Sequence, residues 1–191
     1  MHPDVAEVMQ ELDAHRARFI AFCRALTDEE LERQVPQSEW LVRDFIAHLA
    51  TIDRPVAAMF STIQEGRQQG GGGEADRDRW DVDRFNQGKV EERRQRTIAE
   101  ILTEAAAERV RLRKVLGALQ EETLSRTLHF GGDARRSAAE IELRSYLRGW
   151  CKHDPMHAVD MLRALPERRT PLIEQWIDDP VIASYQAQMN R

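Results

Sequence analysis

The chain has 191 residues, with 33 acidic against 28 basic side chains and a formal net charge of -5, so a chain-wide basic footprint for nucleic acid is absent. Hydrophobic residues at 41 % and charged residues at 32 % supply enough apolar side chains for one core and exclude disorder throughout. The two cysteines, Cys23 and Cys151, lie in no CxxC, which excludes a disulfide framework and a cysteine-rich zinc site. The first residues show no charged stretch followed by an apolar one, and no apolar run is long enough to span a bilayer. The expectation is one cytoplasmic domain over residues 1–191, with neither membrane nor nucleic acid as a partner.

In chain order, the first apolar seam is Val5, Val8, Leu12, His15, Phe19, Phe22 and Leu26, stepping by three and four as on one helix face. Thr27 and Glu30 form a capping-box pattern that opens a short helical turn through Leu31. A second helix is expected from the N-cap Ser38, with Val42, Phe45, Leu49, Ile52, Val56, Met59 and Ile63 as its seam and a bend at Pro55. Gly66 and the run Gly70 to Gly73 stop it. Residues 74–89 are polar, with Asp76, Asp78, Asp81 and Asp83 interleaved with arginines and with Trp80 and Phe85 as anchors.

A third helix is expected from about residue 89 to 119 on Ile98, Ile101, Ala105, Leu112, Val115 and Leu119, with Glu108 on its seam. Its arginines are balanced by glutamates, which reads as a solvated face. Residues 120–136 read as a connection, with Leu128-His129-Phe130 extended and Gly131-Gly132-Asp133 as a turn. A fourth helix, capped by Ser137, carries Leu143, Tyr146, Trp150, His153, His157 and Met161, with a kink at Pro155. Thr170-Pro171 and Asp179-Pro180 each pair an N-cap with a first-turn proline and mark two short helices. The fold class is therefore all-α: a four-helix bundle with a long crossover connection between helices 2 and 3 and short C-terminal helices.

The histidines carry the chemistry. His153 and His157 are four apart and share a helix face, and His48 lies on the buried side of the second helix. A buried imidazole has a donor and an acceptor to satisfy, and an unpaired one costs roughly 1–3 kcal/mol. One divalent ion satisfies three such rings and retains an open position, as in catalytic sites. The alternative is that each ring is separately hydrogen-bonded, and spacing alone leaves both open. Asp44, four before His48, is the candidate to hold that ring's second nitrogen. Asp154 and Asp160 read as solvent-facing or helix-pairing groups, His15 and Glu108 as a buried pair, and Cys23 and Cys151 as small core residues. The absence of HExxH, a paired ExxH, a P-loop, GxGxxG and GxSxG excludes zincins, di-iron bundles, nucleotide folds and serine hydrolases of those types.

Ser38-Glu39-Trp40-Leu41-Val42-Arg43-Asp44-Phe45-Ile46-Ala47-His48-Leu49 resembles the Trp-x3-Asp-x3-His-Leu signature of the DinB-like superfamily, which includes the metal-binding domain of mycothiol-dependent maleylpyruvate isomerase and YfiT-like metal-dependent hydrolases. Asp83-Arg84-Phe85-Asn86 resembles the element that opens its third helix, and His153-Asp154-Pro155-Met156-His157-Ala158 its His-Asp-x-x-His-Ala element, although the proline departs from the usual pattern. The resemblance runs over about residues 5–165 and leaves 166–191 as a C-terminal helical extension. It implies a divalent metal, zinc or nickel, on His48, His153 and His157, and a homodimer. It also implies a small-molecule substrate and, in some members, a low-molecular-weight thiol such as mycothiol or bacillithiol. Arg43 and Asn86 are the candidates for substrate contact. The expected function is a metal-dependent transferase, isomerase or hydrolase; the alternative is a non-catalytic binding or dimerisation protein whose site is structural or vestigial.

Overall fold

A computed structural model of the chain describes residues 1–66, 82–130 and 138–189. The glycine run 70–73, Asp76, Asp78, Asp81, Trp80, the turn at 131–133, the Ser137 cap and residues 67–81 of the connection between the second and third expected helices all lie outside the described residues.

Helix α1 (Pro3–Arg24) starts where His2 Nδ1 accepts from the Asp4 N–H at 3.3 Å and Pro3 occupies the first turn. α2 (Asp28–Leu31) forms on the Thr27–Glu30 capping box, both of whose bonds are present. The second helix begins later than expected. Ser38 Oγ accepts from the Trp40 N–H at 3.1 Å inside a turn, and α3 (Val42–Thr51) starts where Asp44 accepts from the Leu41 N–H. α4 (Asp53–Gln64) follows after a break at Ile52. Pro55 is the third residue of α4. A proline there needs no intrahelical donor, while its ring crowds the carbonyl four residues back, so the break falls just upstream of it.

The expected third helix is two. α5 (Val82–Glu91) is separated from α6 (Ile98–Gly117) by a turn, because Thr97 and Glu100 make a capping box that restarts the helix. After α7 (Glu121–Leu124), β1 (Thr127–Phe130) pairs antiparallel with β2 (Ala139–Glu142), Leu128 lying opposite Ile141. β2 stands where the fourth helix was expected to be under way, so α8 (Leu143–Trp150) begins only at Leu143. α9 (His153–Leu162) again has its proline, Pro155, as third residue with a break just before. A 3-10 turn (Pro166–Arg168), α10 (Pro171–Ile177) and α11 (Pro180–Met189) complete the chain. Thr170 caps α10 through the Ile173 N–H, and Asp179 accepts from the Val181 N–H at 2.8 Å, as their Thr-Pro and Asp-Pro pairs predicted. Among the described residues the fold is all-α apart from this hairpin and one isolated bridge between Gln34 and Leu41. Among the described residues no helix is long and apolar enough to cross a membrane.

Packing explains where the breaks fall. α3 and α4 lie along α6, and α1 contacts α6, α8 and α9. The apolar interior has two clusters. One contains Phe19, Phe45, Leu49, Ala50, Ala105 and Ala158; the other contains Leu12, Val56, Phe60, Leu112, Leu147 and Cys151. One charged residue on each helical stretch falls between the two: Arg16 on α1, Asp53 at the α3–α4 break, Arg109 on α6 and Asp154 just after the α8–α9 break. All four are buried. Arg16 Nε and Nη2 donate to the Asp154 carboxylate at 2.6 and 3.0 Å, and Arg109 Nε and Nη2 donate to Asp53 at 2.7 and 3.2 Å. The pairs approach each other at 3.6 Å (Arg16–Asp53) and 3.7 Å (Arg109–Asp154), and Arg109 also donates to the Leu12 carbonyl. Asp154 is thus a buried member of an ion quartet that pairs it with another helix, so of the two expected roles the helix-pairing one holds and the solvent-facing one does not. Both aspartates sit in the first turn of a restarted helix, where the helix dipole favours a carboxylate.

Candidate metal centre

His48 lies in the last turn of α3, and His153 and His157 occupy the first two turns of α9. Because the helix breaks before His153 rather than between the two histidines, the proline leaves their shared face intact. Ligand atoms of the three rings lie within 4.8 Å of one another. Ring centroids are 5.5 Å apart for His48–His153, 5.0 Å for His48–His157 and 4.5 Å for His153–His157. Aromatic side chains wall the cluster: Trp40 is 5.1 Å from His48, Phe45 5.6 Å from His157, and Trp150 stacks on His153 at 4.3 Å.

Nδ1 of His48 and Nδ1 of His153 are buried without a hydrogen-bond partner. Burial pushes both rings well below the ordinary histidine pKa, and the neighbouring His157 adds to the effect. For His153, His48 and the two quartet arginines lower it further. Both are therefore neutral at physiological pH, the form that ligates metal. His157 differs in having a partner: its Nδ1 lies 2.9 Å from Asp160 Oδ2, which also accepts from the Tyr185 hydroxyl at 2.7 Å. A carboxylate only accepts, so His157 Nδ1 is the donor in this bond, and in the neutral tautomer this arrangement selects, Nε2 carries the lone pair. Asp160 is buried and joins α9 to the helix that carries Tyr185, so it is the helix-pairing group of the two roles expected rather than the solvent-facing one. Its i, i+3 spacing from His157 was the available sequence signal.

Asp44 does not hold His48. Its carboxylate caps α3 through the Leu41 N–H at 3.1 Å and faces Arg94 at 3.6 Å, and this corrects the expected partnership. Arg43 donates to Glu32 at 2.7 Å and to the Arg94 and Arg96 carbonyls, bracing the turn between α5 and α6. Asn86 is half-buried on α5 beside Gln87, whose side chain accepts from the Trp40 indole at 2.7 Å. His15 and Glu108 do not pair. His15 Nε2 lies 3.3 Å from Glu11, while Glu108 pairs with Arg111 at 2.5 Å. Cys23 and Cys151 are buried, and burial raises both thiol pKa values, which fits core thiols rather than reactive ones. Three mutually close imidazoles with two orphaned buried nitrogens form a donor set that fits a divalent ion.

A helical protein with three imidazoles from two helices converging among aromatic side chains is the class that fold and site define. The profile of the mycothiol maleylpyruvate isomerase N-terminal domain matches residues 12–162, and the chain belongs to this DinB-like family. All three histidines fall inside that match. Among solved structures, the chain is similar to the crystal structure of a histidine-to-alanine mutant of mycothiol-dependent maleylpyruvate isomerase. The TM-score is 0.60 at 12 % identity, covering 84 % of this chain and 63 % of that chain. At that identity the likeness is one of fold, and the present chain spans less than two thirds of that protein's length. No curated protein matches the sequence.

Proposed function

We propose that this protein is a metal-dependent enzyme acting on a small molecule, with His48, His153 and His157 holding a divalent ion, zinc or nickel. The convergence of three imidazoles from α3 and α9, two with orphaned Nδ1 atoms, is the observation that carries this reading. When bound, such an ion supplies Lewis acidity that lowers the pKa of a thiol or water in its open position. The structural relative is described as mycothiol-dependent. The co-substrate favoured here is accordingly a low-molecular-weight thiol, mycothiol or bacillithiol, and the reaction a transfer or isomerisation; hydrolysis of a reactive small molecule is the variant that uses water instead.

The chain's own residues have separable tasks in this reading. His48 and His153 present neutral rings. Asp160 keeps the His157 proton on Nδ1, away from the site. Trp40, Phe45 and Trp150 exclude bulk water, which strengthens every electrostatic contact inside. The test is elemental analysis of untagged protein purified without added metal. The expected result is one divalent ion per chain, lost in both His48→Ala and His157→Ala. No metal after loading with zinc or nickel would overturn the reading in favour of a non-catalytic binding protein with a vestigial site.

A further inference from the structure

The C-terminal extension lies beyond the family match, which ends at residue 162, yet it reaches the histidine cluster. Trp176 and Ile177 of α10 and Ile182 of α11 are buried in the same apolar cluster as Phe45 and Ala158. Polar contacts fix its position. The Trp176 indole donates to His15 Nδ1 at 2.9 Å, and Asp179, between α10 and α11, accepts an ion pair from Lys152 at 2.8 Å. Lys152 immediately precedes His153 and also pairs with Glu11 of α1. The extension is thereby tied to the residue that opens α9.

Docked in this way, α11 brings Tyr185 to Asp160. The tyrosine hydroxyl and His157 Nδ1 meet on the same carboxylate oxygen, at 2.7 and 2.9 Å. The Tyr185 ring stands edge-on to His157, with centroids 6.2 Å apart. A carboxylate held by one donor can rotate about its side-chain torsions, whereas one held by donors from two helices cannot turn without losing a bond. Tyr185 therefore restricts Asp160, and Asp160 restricts the His157 ring.

We propose that Tyr185 is a positioning residue for the metal site, acting through Asp160 on His157, so that the C-terminal extension completes the site. This rests on the metal reading above and adds to it a contribution from outside the matched region. Partners that orient a ligating imidazole typically change metal affinity about 10–100-fold when removed.

The experiment uses the full-length untagged chain and zinc itself, with affinity measured by competition against a chromophoric chelator, together with the absorption spectrum of the cobalt(II)-loaded protein. Tyr185→Phe keeps the ring and removes only the hydroxyl. It is expected to weaken zinc binding by about tenfold and to shift the cobalt bands, with an unchanged helical circular dichroism spectrum. Asp160→Asn is expected to weaken binding at least as much. The double variant is expected to be no weaker than Asp160→Asn, because the hydroxyl that Tyr185→Phe removes reaches His157 through that carboxylate. Wild-type affinity and an unshifted cobalt spectrum in Tyr185→Phe would overturn the proposal, as would fully additive losses in the double variant. A wild-type chain that takes up no zinc would sink the metal reading and this proposal with it. A wild-type chain that binds as tightly as Tyr185→Phe defeats the tyrosine's role alone.

Discussion

Two polar clusters, one buried and one largely so, lie side by side in this protein, and they solve the desolvation problem in opposite ways. The quartet of Arg16, Asp53, Arg109 and Asp154 closes on itself, each arginine gripping one aspartate through two nitrogens and approaching the other. The trio of His48, His153 and His157 does not close, since only His157 has a hydrogen-bonding side chain at its Nδ1. His153 and Asp154 are adjacent in sequence, so one step along α9 separates a satisfied group from an orphaned one. A buried polar group with all its partners inside the chain is part of the scaffold. One without them leaves a desolvation cost uncompensated by the chain, and at the histidines that is what supports the proposed metal.

The largest effect that separates the two clusters should come from Asp154→Ala. It leaves Arg16 charged, buried and short of its partner, and a loss of about 3–5 kcal/mol in urea unfolding is expected. A loss below about 1 kcal/mol would mean that the quartet is solvated rather than structural.

The acid limb of stability is a second, intermediate measurement. Burial by itself would raise the Asp154 pKa, but Arg16 and Arg109 outweigh it and hold the carboxyl below its ordinary range. A carboxyl whose folded pKa is depressed contributes its stabilisation above the unfolded value, about 3.9, and loses it as pH falls through the folded value. Wild-type stability should therefore decline on acidification below about pH 4, and the decline should be shallower in Asp154→Ala. Parallel curves for the two proteins would contradict the assignment.

The smallest effect is expected at the histidines. His48→Leu removes an orphaned polar atom from an apolar wall, so metal-free stability should change by less than about 1 kcal/mol or rise slightly. A loss comparable to that of Asp154→Ala would show that the ring has a structural partner, and the contrast between the clusters would collapse.

Much of this architecture was legible in the chain itself. The three-four seams locate the helical stretches, the Thr27–Glu30, Thr170-Pro171 and Asp179-Pro180 signals place starts correctly, and both prolines mark real breaks. His48, His153 and His157 were legible as inward-facing, and they do converge. Other features were misread because a periodic pattern says which side faces inward, not which neighbour is met there. Asp154 and Asp160 read as either solvent-facing or helix-pairing, a choice the pattern left open, and Asp44 read as the partner of His48 although it caps its own helix. The Thr97–Glu100 box that divides the expected third helix was present in the sequence, and the helix was carried back to residue 89 although its apolar seam starts only at Ile98.

What the sequence by itself determined is local: which residues turn inward, where a proline forbids the preceding turn, and which side chains can cap a free helix end. These depend on contacts within three or four residues, which no distant part of the chain can alter much. Only the tertiary structure decided that charges from four helical stretches meet in one layer, and that the carboxylate beside His157 is shared with a tyrosine from the C-terminal helix. Those pairings join groups from 25 to 138 residues apart, and the relative placement of packed helices sets them rather than any local spacing.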